Sequence, residues 1–155
     1  MAISSGGTTI VAPFILMLIS LLVFRGFGAL GLSLFASWQD STRYALALMF
    51  LFTATTHFTG MKEDLVKMVP SIMPYPRQLV FFTGLCEILG AIGLVIAPVQ
   101  RLAGIALILL LVALFPANIN AARNAIPLRG KPPTPLWLRL PLQMVWIGLL
   151  WWSTQ

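Results

Sequence analysis

The chain has 155 residues, of which 59% are hydrophobic and only 9% are charged. Soluble domains carry about 25% charged residues, so the composition excludes an ordinary soluble protein and predicts a single-domain integral membrane protein. The formal net charge is +6, but the basic residues stand between apolar runs, where they orient a protein in the bilayer, and no nucleic-acid-binding pattern is present. The single cysteine, Cys86, excludes an internal disulfide.

Five apolar stretches approach the ~20 residues that a helix needs to cross a membrane. The first is interrupted by Arg25 and continues into the glycine-rich GFGALGLSLFA. It has no basic start and no clear small-residue cleavage site, so we expect it to be retained as a membrane segment. In chain order the predicted spans are 10–37, 44–61, 78–97, 102–122 and 136–153.

The basic residues predict an orientation for these five spans. Under the positive-inside rule, the side that carries more Lys and Arg faces the cytoplasm. This places the N-terminus inside and the C-terminus outside. On the inner side, apolar residues at helical spacing predict a short amphipathic helix in 62–77. The basic, proline-rich loop 123–139 predicts a stiff extended segment. The inner side carries Lys62, Lys67, Arg77, Arg123, Arg129, Lys131 and Arg139, and the outer side carries Arg43 and Arg101.

Two ionisable residues lie deep within the predicted spans. Arg25 and Glu87 are both near mid-bilayer when depth is counted from the ends of their helices. Buried charges of opposite sign are commonly paired, so one interpretation is an Arg25–Glu87 ion pair. The other is that the first helix ends near Arg25, whose side chain then reaches the lipid headgroups.

Other polar residues cluster in the inner half of the predicted bundle. His57, Asn118 and Gln143 come from three different spans, and Glu87 lies deeper behind them. One hypothesis is that these four side chains line a ligand-binding cavity. The alternative is that they form hydrogen bonds between helices. One His and one Glu are too few ligands for a closed zinc site, so no metal centre is predicted.

From Arg43 onward, five motifs stand in a defined order. They are RYALALMFLFTATTHF, MVPSIMPYP, TGLCEILGAIGLVIAPVQRLAG, FPANINAA and LWLRLPLQMVWI. Over 43–153 the chain thereby resembles the DoxX family of small bacterial four-helix membrane proteins. The resemblance implies a four-helix transmembrane bundle over 43–155, after an N-terminal transmembrane helix and linker over 1–42, in the bacterial cytoplasmic membrane. The characteristic positions that it implies are His57, Glu87, Arg101, Asn118, Arg139 and Gln143.

Known members of that family are linked to redox systems. The resemblance therefore implies an accessory or small-molecule-binding component of a membrane redox or oxidative-stress pathway, not a self-contained enzyme. A quinone is the cofactor or ligand that it suggests, and the expected partners are the lipid bilayer and a membrane protein or a second copy of the chain. Two alternatives stay open: a proton-linked carrier or lipid-handling protein in which Glu87 switches partners with Arg25, and a structural subunit of a membrane complex.

Overall fold

The computed structural model describes residues 8–155. Within this range the chain forms α-helices joined by short connections, and its only β-type pairing is one isolated bridge. The all-α prediction is therefore confirmed. The helices are α1 (Thr8–Ala29), α2 (Trp38–Ala54), α3 (Lys62–Met68), α4 (Pro76–Val95), α5 (Gln100–Arg123) and α6 (Leu136–Ser153), with single 3-10 turns at Ser33–Phe35, Thr55–His57 and Ala97–Val99.

Three helices are long and apolar enough to cross a membrane, and not the five that were predicted. They cover Val11–Ala29, Pro76–Val95 and Gln100–Arg123. The predicted second span differs because α2 begins earlier, at Trp38, and stops at Ala54 after 17 residues. Its first turns therefore hold polar residues that lie outside the predicted span 44–61. The helix α6 has the predicted bounds, but two of its 18 residues are Arg139 and Gln143, which make it less apolar than the three candidate spans.

The first predicted span is also too long, because α1 ends at Ala29, four residues after Arg25. Gly31 follows with φ of +100°, a backbone conformation that glycine adopts without steric cost. The chain then folds back through the turn at Ser33–Phe35. The ring of Phe35 packs 4.8 Å from that of Phe24 on α1 and 5.0 Å from that of Tyr44 on α2, measured between centroids.

Four helices form a closed ring. The helix α2 packs against α4, α4 against α5, α5 against α6, and α6 against α2. The largest fully buried side chains include one leucine from each of these helices: Leu46, Leu94, Leu107 and Leu150. The helix α1 packs along the outside of α2 and reaches α6 through the Phe14 and Trp146 rings, whose centroids are 5.8 Å apart.

At one end of the ring, hydrogen bonds fasten the start of α2 to the end of α6. The Ser37 hydroxyl accepts a hydrogen bond from the Asp40 backbone N–H at 2.9 Å, which is an N-cap that satisfies a free donor of the first turn. Asp40 in turn pairs with Arg43 at 2.7 Å. Arg43 also donates to the Ser153 carbonyl at 3.2 Å, so α2 and α6 are held antiparallel.

At the other end, α3 is tied to the connection between α5 and α6. The predicted short helix in 62–77 is confirmed as α3. The predicted extended segment 123–139 instead contains a tight turn, because Arg129 and Gly130 adopt φ of 53° and 70° and Leu128 and Lys131 exchange both backbone hydrogen bonds. The Arg129 N–H donates to the Asp64 carboxylate at 3.0 Å. This bond, together with the nearby Lys67, holds the pKa of Asp64 below its usual value.

The contact between α4 and α5 depends on a glycine. A Cβ at Gly90 would lie 2.5 Å from Leu107 Cδ2 and 2.6 Å from Leu107 Cγ. We expect Gly90→Ala to lower the free energy of unfolding by about 1–3 kcal/mol through overpacking, measured by chemical denaturation in detergent micelles. Gly148→Ala on α6 is the matched control, since a Cβ there has no neighbour within 4 Å. Equal stability of the two variants would contradict the close packing at Gly90.

Candidate functional site

His57 lies in the 3-10 turn that follows α2, and it is buried. Its Nδ1 lies 2.7 Å from the backbone carbonyl of Val80 on α4. The turn approaches α4 this closely because residue 84 is a glycine: a Cβ there would lie 2.5 Å from the Cβ of His57. Since a carbonyl oxygen only accepts hydrogen bonds, Nδ1 carries a proton and donates a hydrogen bond to the Val80 carbonyl.

The other ring nitrogen of His57 faces a carboxylate. Nε2 lies 3.6 Å from Glu87 Oε1, and the second oxygen of Glu87 accepts a hydrogen bond from the Thr53 hydroxyl at 2.9 Å. His57 and Glu87 are 7% and 6% exposed. With Nδ1 directed at Val80, Nε2 is the ring atom that faces the Glu87 carboxyl group. His57 and Glu87 therefore form a buried acid–base pair between the end of α2 and α4.

Glu87 lines a cavity of about 240 Å³ inside the ring, which we call the central cavity. The walls come from α1, α2, α4, α5 and α6 and from the connection before α6. The polar lining residues are Thr53, Glu87, Asn118, Arg139 and Gln143, and the apolar ones are Pro13, Met49, Phe50, Leu111, Leu128, Leu142 and Trp146.

A second cavity, of about 480 Å³, lies between α3, α4 and α5 and adjoins the central one; we call it the lateral cavity. It shares Glu87, Leu111 and Asn118 with the central cavity. Its polar residues are His57, Thr83, Glu87 and Asn118, and its apolar lining is formed by Leu65, Met68, Val69, Met73, Leu79, Val80, Phe82, Leu110, Leu111, Ala113, Leu114 and Ala117.

The structure brings together the four residues that were predicted to bind a ligand. Glu87, Asn118 and Gln143 line the central cavity, and His57 lines the lateral cavity with Glu87 and Asn118. Gln143 also donates to the Leu111 carbonyl at 2.9 Å. The alternative of hydrogen bonding between helices applies to all four residues, because each of them bonds to a neighbouring element. The partners of His57, Glu87, Asn118 and Gln143 are Val80, Thr53, Arg139 and Leu111, respectively.

Arg139 belongs to this site, although the sequence analysis assigned it only as a basic family position. It is 9% exposed, and its Nη1 donates to Asn118 Oδ1 at 2.5 Å. Its Nε is buried and has no hydrogen-bond partner among the described residues. The signal that could have identified it is a basic residue within an apolar helix, four positions before Gln143 and therefore on the same helical face.

The suggested Arg25–Glu87 ion pair is wrong. The carboxylate of Glu87 pairs with His57, and the guanidinium of Arg25 lies over the Trp38 ring, 5.4 Å from its centroid. The cause is that the two residues lie at opposite ends of α2: Arg25 contacts Trp38 at its start, whereas Glu87 contacts Thr53 near its end. Arg101 is exposed at the start of α5 and does not line either cavity.

We expect His57→Ala to destabilise the protein by about 3–5 kcal/mol, because the buried carboxyl group of Glu87 then loses the basic partner that faces it. The matched control is Glu63→Gln, which breaks the exposed pair between Glu63 and Arg77, whose shortest N–O distance is 2.8 Å. Exposed pairs contribute at most about 1 kcal/mol. Both variants are compared by chemical denaturation in detergent micelles, and equal losses would contradict the buried pair.

Comparison with curated proteins and with solved structures finds no match to this chain. Comparison with known protein families gives no match to DoxX, so the resemblance suggested by the five short motifs is wrong. The redox and oxidative-stress roles that it implied lose their support with it. A different family covers residues 46–154, which is most of the chain and runs from within α2 to the end of α6. The chain therefore belongs to the family DUF8561, which is described as a domain of unknown function.

Proposed function

We propose that this is a membrane protein that binds a small, largely apolar molecule with a hydrogen-bonding head, of which a quinone is one example. One observation carries the proposal: polar side chains from four separate elements converge where two cavities meet, inside an otherwise apolar bundle. Polar groups at such depth are costly and commonly face a ligand pathway or a cavity. A purely structural role accounts for the hydrogen bonds between helices but leaves the cavities unexplained.

The lateral cavity suits the body of such a ligand. Its volume of about 480 Å³ falls within the ~300–1,000 Å³ that small-molecule sites occupy. Apolar side chains form most of its wall, and Phe82 at its edge is 61% exposed. A ligand entering from the lipid side of α4 and α5 would meet apolar surface first and the polar cluster last.

The polar cluster offers groups that suit an oxygen atom of the ligand. Asn118 Oδ1 is occupied by Arg139, which turns the NH2 group of Asn118 into the available donor. Thr83, on the lateral wall, donates its hydroxyl hydrogen to the Val80 carbonyl at 3.0 Å, so its oxygen is left to accept a hydrogen bond from the ligand head. The His57–Glu87 pair lies beside both residues and would supply or accept a proton at the ligand head.

We further propose that α2 and α6 cross the membrane together with α1, α4 and α5. Their lengths of 17 and 18 residues lie at the lower end of the ~17–25 residues that spanning helices use. They stand antiparallel in the ring, with the start of α2 fastened to the end of α6. The excess of Lys and Arg on the α3 side then places that side in the cytoplasm.

This orientation predicts which side of the membrane each loop faces. In a Cys86→Ser background, we expect Val99→Cys to react with a membrane-impermeant maleimide in intact cells. Lys67→Cys should react only after the cells are lysed, because α3 lies on the basic, cytoplasmic side. Labelling of Lys67→Cys in intact cells would contradict the proposed orientation.

The proposed binding predicts that the protein in nanodiscs takes up methoxynaphthoquinone, a small neutral quinone. Isothermal titration calorimetry measures the affinity, with empty nanodiscs correcting for partition into lipid. We expect His57→Ala and Glu87→Gln each to weaken binding about tenfold, through loss of one hydrogen bond to the ligand or of its orientation. Glu63→Gln, at the only other glutamate of the chain, is the control and should bind as the wild type does. Unchanged affinity in both site variants would overturn the proposal.

A further inference from the structure

We infer that the ligand carries an acidic head and that Arg139, in the central cavity, is the residue that binds it. The inference rests on the proposed function and names the chemical class of its ligand: an apolar molecule with a single negative charge. The observation behind it is a buried guanidinium that lacks a counterion in the described chain.

The guanidinium of Arg139 is only partly satisfied. It donates from Nη1 to the neutral oxygen of Asn118, while the buried Nε has no partner among residues 8–155. A buried cation without an opposite charge is strongly unfavourable. Arginine offers a planar fork of donors that matches a carboxylate or a similar oxyanion, so an anion in the cavity would satisfy both the charge and the free donor.

The chain has no acidic side chain left for this purpose. It contains four Asp and Glu residues, and all four lie within the described range. Each faces a basic residue other than Arg139 within 4.0 Å. The pairs are Asp40 with Arg43, Glu63 with Arg77, Asp64 with Lys67, and Glu87 with His57.

Glu87 also limits the charge of the ligand. It is the one carboxylate that lines the central cavity, and its oxygens are engaged by His57 and Thr53. A ligand with two negative charges would meet Glu87 across a cavity of about 240 Å³ and would be repelled. A monoanion with an apolar body fits better. Its charge would lie at Arg139, and its body would extend past Leu111, which lines both cavities, into the lateral cavity. This chemistry is shared by free apolar acids and by lipid headgroups with one negative charge.

The test compares two ligands of nearly equal shape. Hydroxynaphthoquinone with its hydroxyl group on the quinone ring is a vinylogous acid and therefore an anion at neutral pH. Methoxynaphthoquinone with its methoxy group at the same position is the neutral ether. For the wild type in phosphatidylcholine nanodiscs, we expect the anion to bind about tenfold tighter or more, as charge-assisted hydrogen bonds are the stronger ones. Arg139→Gln should abolish this preference, because the two ligands then meet a neutral side chain, in the same calorimetric measurement. Arg101→Gln removes an exposed arginine and should leave the preference intact.

The outcomes separate the two proposals. Equal binding of both ligands by the wild type overturns the acidic-head inference and leaves the proposed function standing, whereas binding of neither overturns both. If Arg139→Gln does not fold, the wild-type comparison still decides, and Arg139→Lys should retain part of the preference because it keeps the charge and loses the fork.

Displacement of hydroxynaphthoquinone by octanoate alone would support a free acid as the ligand. Displacement by short-chain phosphatidylglycerol would support a lipid headgroup.

Discussion

The buried contact between His57 and Glu87 is the constraint around which the bundle is arranged. A carboxylate inside an apolar ring needs a partner at short range, and here that partner comes from the turn at the end of α2. The turn reaches α4 only because Gly84 has no side chain, and the Val80 carbonyl then fixes the ring of His57. One glycine, one carbonyl and the contact with Glu87 thus hold the end of α2 against α4, beside the two cavities.

The electrostatics of the interior are unbalanced in one direction. The wall formed by α2 and α4 contains a matched acid and base, while the wall formed by α6 contains Arg139 with one amide oxygen as its partner. Asn118 on α5 stands between the two walls and lines both cavities. The central cavity is therefore a place where an anion would gain energy and a second positive charge would lose it. The lateral cavity, by contrast, is apolar except at the end where it meets Glu87.

Most of the helices could be predicted from the sequence, since long apolar runs give a strong signal. The predicted 78–97, 102–122 and 136–153 lie within about two residues of α4, α5 and α6, the usual uncertainty of helix ends. The second helix begins before the apolar run that predicts it, because the Ser37 N-cap and Asp40 in the first turn start the helix at Trp38. The family resemblance failed for a related reason: short apolar motifs recur among membrane helices and do not by themselves define a family.

For the site too, the positions of side chains along each helix could be predicted, but the contacts between helices could not. The rise per residue gives the depth of each polar side chain, and so the sequence by itself determined an all-α, apolar chain with His57, Glu87, Asn118 and Gln143 gathered within it. Only the tertiary structure decided which of these groups meet, because depth does not reveal the direction that a helix face points or the order in which helices pack. The ring places Glu87 against His57 and excludes Arg25 to the outside of α2. The packing of α6 in the ring also buries Arg139, which was expected in a loop, so that its charge lines the central cavity.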